Sequence, residues 1–297
     1  MNAIALIIAL LIERFGADLE CYRSADRYLG LLRRLRDRVG RGGYWDGWFG
    51  VLLLLMPAAL AMVVFERVFA QSGVLGSLLG MALSAWILFW CLRAWDARRD
   101  VEAFLLAYDT GDQDAAAGHL HTLYGQALPS DVRDWPGAAL EAYVGDSAAR
   151  LFTPVFWFVV LGPAGALLAY SLIVLDRRLA SDEQGSEFAR AVARAEHWVA
   201  WLPVRVIVML LAVLGSFDGA LRGWQCADTH CGARCADGNR AVLVCAARGA
   251  LGLPLDRDAL QSEPELRCAT RHVRDGVALL ERVMWIGLGC AVVWLWW

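Results

Sequence analysis

The sequence predicts an all-α polytopic integral membrane protein with broken or re-entrant helices and cytoplasmic helical segments. Three observations carry this. Hydrophobic residues fill 58% of the 297 positions. The mean hydropathy of +0.45 lies above that of ordinary soluble domains. Apolar blocks at 48–65, 68–92, 151–175, 198–217 and 277–297 approach or reach the roughly 20 residues that cross a bilayer. No alternating strand pattern persists anywhere.

The elements follow in order. Residues 1–47 hold a short apolar segment, 3–12, and an arginine-rich stretch. Ten residues are too few to span, so this segment reads as an interfacial, half-inserted or buried helix. It lacks a preceding arginine and a small-residue cleavage site, so no secretory signal peptide is expected. Residues 48–92 form a transmembrane hairpin. Residues 93–150 are helical and cytoplasmic, with Val101, Leu105 and Tyr108 at helical spacing and a break at Thr110-Gly111-Asp112. Residues 151–217 carry two interrupted blocks. Leu161-Gly162-Pro163-Ala164-Gly165 breaks the first, and Pro203 and Arg205 mark the second. Phe188, Val192, Ala195 and Val199 form an apolar stripe leading into the second block. Residues 218–276 read as a cytoplasmic loop region, loosest over 254–272. Residues 277–297 form the last span, with Trp294, Trp296 and Trp297 as an interfacial belt.

Arginine sets the orientation. Eight arginines fall between residues 14 and 41, and Arg93, Arg98 and Arg99 follow the hairpin, placing 13–47 and 93–150 in the cytoplasm. Arg177, Arg178, Arg190 and Arg194 stay cytoplasmic only if the blocks at 151 and 198 both re-enter, which is the favoured topology. The protein is thus expected in the bacterial inner membrane, with the bilayer as its first partner and most polar segments cytoplasmic. All 28 basic residues are arginine. The absence of lysine excludes a P-loop lysine, a Schiff base and a pyridoxal phosphate anchor. No aromatic–basic array suggests nucleic acid.

Arg205 is the leading site candidate. An arginine at mid-bilayer costs about 2.5–3.5 kcal/mol on insertion scales, so something must compensate for it. Glu13 shares that need at the end of the first apolar segment; Glu66, Asp176 and Glu196 are other possible partners, and snorkelling to the interface is the alternative. With Arg14 or Arg93, Arg205 could hold an anionic ligand such as a muropeptide carboxylate, with Trp201 stacking on it. His197 lies near the mouth of this segment. Glu141 and Asp146 precede the 151 block, five residues apart and so not on one helical face. Cys226, His230, Cys231 and Cys235 are weak candidates for tetrahedral zinc, since their spacing does not match a paired ribbon. In a cytoplasmic segment these thiols are expected to be reduced.

The run Pro154-Val155-Phe156-Trp157, with Gly162, Gly165 and Tyr170, and the later Trp201-Leu202-Pro203-Val204-Arg205 together resemble the paired motifs of the AmpE and CobD/CbiB superfamily of membrane proteins. Glu13-Arg14, Asn239 before Arg248-Gly249-Ala250-Leu251, and Glu281-Arg282 extend the resemblance over most of the chain. It implies one of two activities. The AmpE branch implies an inner-membrane regulator of β-lactamase induction tied to peptidoglycan recycling. The CobD/CbiB branch implies an ATP-dependent synthase that joins an aminopropanol unit to adenosylcobyric acid by an amide bond. That branch carries acidic residues ahead of the first motif, where this chain keeps Glu141 but has Gly145 and Ala149. A histidine–proline pair expected near the N-terminus is also missing. Because such a ligase holds metal through carboxylates, the sequence favours the regulatory branch. The synthase, with ATP and magnesium, is the alternative, and a small-molecule transporter a further one.

Overall fold

The computed structural model describes residues 2–15, 30, 34, 47–71, 73–92, 94–124, 128–182, 186–227, 238–253 and 266–297. Among these, 93% are helical and none is in a strand. The helices are α1 (Asn2–Phe15), α2 (Trp48–Gln71), α3 (Gly73–Cys91), α4 (Ala94–Thr110), α5 (Gln113–Tyr124), α6 (Trp135–Ser147), α7 (Thr153–Asp182), α8 (Glu187–Leu214), α9 (Phe217–Cys226), α10 (Gly238–Ala250) and α11 (Leu266–Trp296). Four stretches among the described residues are long and apolar enough to cross a membrane: Gly73–Cys91, Val132–Leu179, Glu187–Leu214 and Thr270–Trp296. The chain is a multi-pass membrane protein.

The chain divides into two compact units. The first comprises Met1–Leu92, Thr153–Ala200 and Cys290–Trp297. In it α3 packs against α1, α2 and α7, and α2 also packs against α7. Val51, Leu54 and Leu55 of α2 meet Leu172, Leu175 and Leu179 of α7 and Phe188, Ala191, Val192 and Ala195 of α8 in one core. The neighbouring Leu52, Leu53, Met56 and Leu60 are exposed, as are Val74 and Leu75 of α3. Such an outer face would aggregate in water; in a bilayer it meets lipid tails.

Within this unit α7 is broken at Gly162, whose φ of 71° and ψ of −164° fall in a region only glycine occupies readily. Pro163 then begins the second arm, where its missing N–H forfeits nothing. In a straight helix, residues eight apart lie about 12 Å apart along the axis. Here a Cβ on Gly165 would stand 2.4 Å from the Trp157 carbonyl oxygen. Only a sharp reversal brings the second arm back onto the first. The nine-residue first arm is too short to span, at about 13 Å, whereas 163–182 reaches about 30 Å. The block read as 151–175 is therefore two arms around a glycine turn.

By contrast, α8 runs 28 residues through Pro203 without a break. A proline in mid-helix withdraws the donor that the carbonyl four residues earlier expects. That carbonyl belongs to Val199, and the Trp157 indole N–H donates to it at 3.0 Å. The expectation of an interrupted second block is corrected: a side chain replaces the lost donor, so the backbone need not unwind.

The second unit comprises Arg93–Phe152 and Trp201–Gly289. Gly111, at φ 80°, ends α4, and Asp112 caps α5 by accepting from the Ala115 N–H at 3.0 Å. This is the helical hairpin that the Thr110-Gly111-Asp112 break predicts. At the centre lies α10, buried at every position from Ala241 to Ala250. Small residues allow this. A Cβ on Gly219 would fall 2.0 Å from the Gly249 carbonyl oxygen, and one on Gly223 would fall 2.1 Å from that of Cys245. Gly219 and Gly223, four apart on α9, let the two backbones touch. The last helix starts at Leu266, where a loose loop was expected up to residue 272. Exposed Arg271 and Arg274 mask the start of an amphipathic helix whose inner face is Val273, Leu280 and Val283.

Candidate functional site

The candidate site lies in the second unit, on α6, α8 and α10. Arg205 of α8 donates through Nη1 to Asn239 Oδ1 at 2.6 Å and to the Trp201 carbonyl at 3.3 Å. Its guanidinium carbon stands 4.5 Å from the centre of the Trp201 ring. Among the described residues, a buried amide, a backbone carbonyl and an aromatic face contact this arginine; the Glu13 side chain, its expected carboxylate partner, lies outside them. Asn239 is 2% exposed, and its oxygen fixes the direction of the guanidinium. Trp201 is accessible at 40%, consistent with a stacking surface.

A second set faces α6. Arg248 of α10, 6% exposed, pairs with Glu141 Oε1 at 3.3 Å. Two turns earlier on α10, Arg240 lies against α6 at Gly145, its Nε 3.0 Å from where a Cβ of that residue would be. Glu141 and Gly145 are one turn apart, so one face of α6 meets one face of α10. Asp146 Oδ1 turns instead to Arg150 Nε at 2.7 Å. Elsewhere in the unit, Arg98 bonds Glu102 at 2.8 Å and pairs with Glu281, which ties α4 to α11. Burial alone would lower the Arg98 pKa; the two carboxylates outweigh it and raise the pKa above the ordinary arginine value. Arg274 pairs with Asp109 across the same two helices.

The other sequence candidates fall as follows. Trp157 and His197 lie in the first unit, Trp157 bonded to Val199 and His197 edge-on to Trp198. Pro203 is buried within α8. The side chains of Glu13 and Arg14 lie outside the described residues, as does Arg93. Of the zinc candidates, Cys226 is a half-buried free thiol at the end of α9, while His230, Cys231 and Cys235 lie outside the described residues. No group of three or more potential metal ligands occurs among the described residues. The free Cys226 agrees with the expectation of reduced thiols, whereas Cys245 is disulfide-bonded and departs from it. Compartment alone does not reveal which sulfurs the fold makes neighbours. Sequence reasoning missed Arg240 and the pairing of Arg248 with Glu141. The Gly-x-x-x-Gly spacing of 219 and 223 was visible and points to the close packing of α10.

The donor set can be tested against a divalent cation. Hard cations want several free carboxylate oxygens. Glu141 pairs with Arg248 and Asp146 gives Oδ1 to Arg150, while the buried Asp146 Oδ2 accepts no hydrogen bond among the described residues; positions 145 and 149 carry no acid. Among the described residues, no group of three or more potential ligands gathers there.

These features define a polytopic helical membrane protein in which the two tryptophan–proline motifs lie on α7 and α8, joined by the Trp157–Val199 hydrogen bond, and the buried charges lie on α6, α8 and α10. The family model described as CobD/Cbib protein matches residues 6–271, so the chain belongs to the CobD/CbiB family. It is similar to the cobalamin biosynthesis protein CobD of Chromobacterium violaceum, at 26% identity over 255 residues, 81% of this chain and 77% of the relative. It is also similar to the proteins of that name from Stutzerimonas stutzeri and Desulfotalea psychrophila. The first is 29% identical over 53% of this chain and 52% of the relative. The second is 24% identical over 74% and 72%. No solved structure matches. These relatives overturn the expected role in β-lactamase induction and peptidoglycan recycling. The missing acids at 145 and 149 had weighed against the synthase branch, yet family membership extends well beyond those positions. The inner-membrane location stands.

Proposed function

We propose that this protein acts in cobalamin biosynthesis, at a step that joins an aminopropanol unit to adenosylcobyric acid through an amide bond. One observation carries the reading: the family match runs from residue 6 to residue 271 and takes in both tryptophan–proline motifs, and the relatives are named for this pathway. The chemistry asks for an amine, a carboxylate and ATP to drive loss of the carboxyl oxygen. Arg205, oriented by Asn239 and stacked on Trp201, is suited to a carboxylate or phosphate oxygen. No step is assigned to a metal, because no group of three or more potential ligands occurs among the described residues.

The test is growth of a bacterium that lacks its own enzyme for this step, on medium where growth requires cobalamin. This chain should restore growth on supplied adenosylcobyric acid. Growth only when cobinamide is supplied, with the protein present in the membrane, would contradict the proposal.

A further inference from the structure

We propose that Trp157 is a positioning residue for Arg205: its indole holds the carbonyl that Pro203 orphans, keeps that turn of α8 closed, and thereby sets the guanidinium on Trp201 and Asn239. This rests on the reading that Arg205 meets a carboxylate or phosphate oxygen of the substrate.

Between residues 199 and 205, α8 carries the orphaned carbonyl of Val199, the accessible ring of Trp201, Pro203 itself and Arg205. Arg205 folds back along its own helix. Its Nη1 donates to the Trp201 carbonyl at 3.3 Å, and its guanidinium carbon stands 4.5 Å from the centre of the Trp201 ring. Both contacts therefore bridge Pro203. The third, from Nη1 to Asn239 Oδ1 at 2.6 Å, reaches another helix, α10. A hydrogen bond of that length is lost once its atoms part by about another 1 Å. Sharp kinks, beyond about 20°, arise where a proline interrupts the ladder of helical bonds. A kink here would swing Arg205 away from Asn239. An unmet Val199 carbonyl favours the kink, because opening the turn is how that oxygen finds another donor. The indole N–H, at 3.0 Å, removes the cause. Trp157 is itself held by the fold of α7: the reversal at Gly162 lays Gly165 on the Trp157 carbonyl, where a Cβ would stand 2.4 Å away. Arg205 is thus aimed before any substrate arrives, which lowers the ordering cost of binding.

The experiment uses the purified full chain in detergent and reads two quantities. The first is the fall in unfolding temperature caused by Asn239→Ala. In Trp157→Phe, where Arg205 has already left Asn239, that fall should shrink to less than about half its size in the wild-type background. Adding Pro203→Ala returns a backbone N–H to the Val199 carbonyl and should restore the full fall. The second is kcat/KM for adenosylcobyric acid with aminopropanol and ATP. It should drop at least about tenfold in folded Trp157→Phe and return to within about threefold of wild type in Trp157→Phe/Pro203→Ala. An equal fall in all three backgrounds, a shrunken fall that Pro203→Ala does not restore, or an unchanged kcat/KM in folded Trp157→Phe would each overturn the proposal. Should Trp157→Phe not fold, Pro203→Ala with and without Trp157→Phe replaces it. The Asn239→Ala fall should then be the same in both, and a smaller fall with Trp157→Phe present would overturn the role of the carbonyl. Absence of turnover in the wild type would overturn the pathway reading alone, because the melts still decide whether Trp157 positions Arg205.

Discussion

The Trp157 indole N–H donates at 3.0 Å to the carbonyl of Val199, the one carbonyl of α8 whose helical donor Pro203 removes. This gives the pairing of the two motifs a physical cause. The proline of the second motif creates an orphaned acceptor, and the tryptophan of the first supplies the donor. A helix can then cross apolar surroundings with a proline inside it, because each buried polar group still has a partner.

Trp157→Phe should therefore destabilise the protein by about 1–3 kcal/mol, the usual cost of leaving a buried acceptor unsatisfied. Pro203→Ala restores the backbone N–H, so the double variant should recover most of that loss. Unfolding in detergent of the wild type, both single variants and the double variant measures the coupling. Additive losses would show that the two residues act separately.

The turn in α7 depends on Gly162, at φ 71° and ψ −164°. Gly162→Ala should lower stability by about 1–3 kcal/mol through backbone strain. A neutral effect on the unfolding midpoint would argue for a straight helix through this point.

The contact between α9 and α10 leaves no room for a methyl group, since a Cβ on Gly219 would overlap the Gly249 carbonyl at 2.0 Å. Gly219→Ala must push the helices apart and should cost about 1–3 kcal/mol. Gly137, with nothing within 4 Å of an added Cβ, is the internal control: Gly137→Ala should be neutral or slightly stabilising in the same melts.

Glu141→Gln deprives the buried Arg248 of its carboxylate and should destabilise by about 3–5 kcal/mol. Replacing both with methionine should be milder than the single change, because no charge is then left in the interior. If the single and double variants unfold alike, the pair contributes through packing alone.

Much of the architecture is legible in the sequence, and the reasons are local. Gly162-Pro163 announces a break because glycine and proline act through their own backbone. Thr110-Gly111-Asp112 announces a hairpin for the same reason. Arg205 stands out because an arginine among apolar neighbours is expensive wherever it points. What escapes is tertiary. Nothing local to Val199 tells that Trp157, 42 residues earlier, will repair it. Arg240 looks like any helix-end arginine until Gly145 is placed beside it. The first turns of α11 look like a loop because their outer face carries Arg271 and Arg274. Gly145 and Ala149 point away from the synthase branch because they are local, whereas the family match is spread over residues 6–271.

The most direct test of the pathway assignment is to incubate the purified protein with adenosylcobyric acid, aminopropanol and ATP and to follow the corrinoid by mass spectrometry. The account predicts the mass of the amide-linked product, formed only with ATP and strongly reduced in Arg205→Gln. Unchanged adenosylcobyric acid, in a preparation whose folding is verified by its melt, would contradict it.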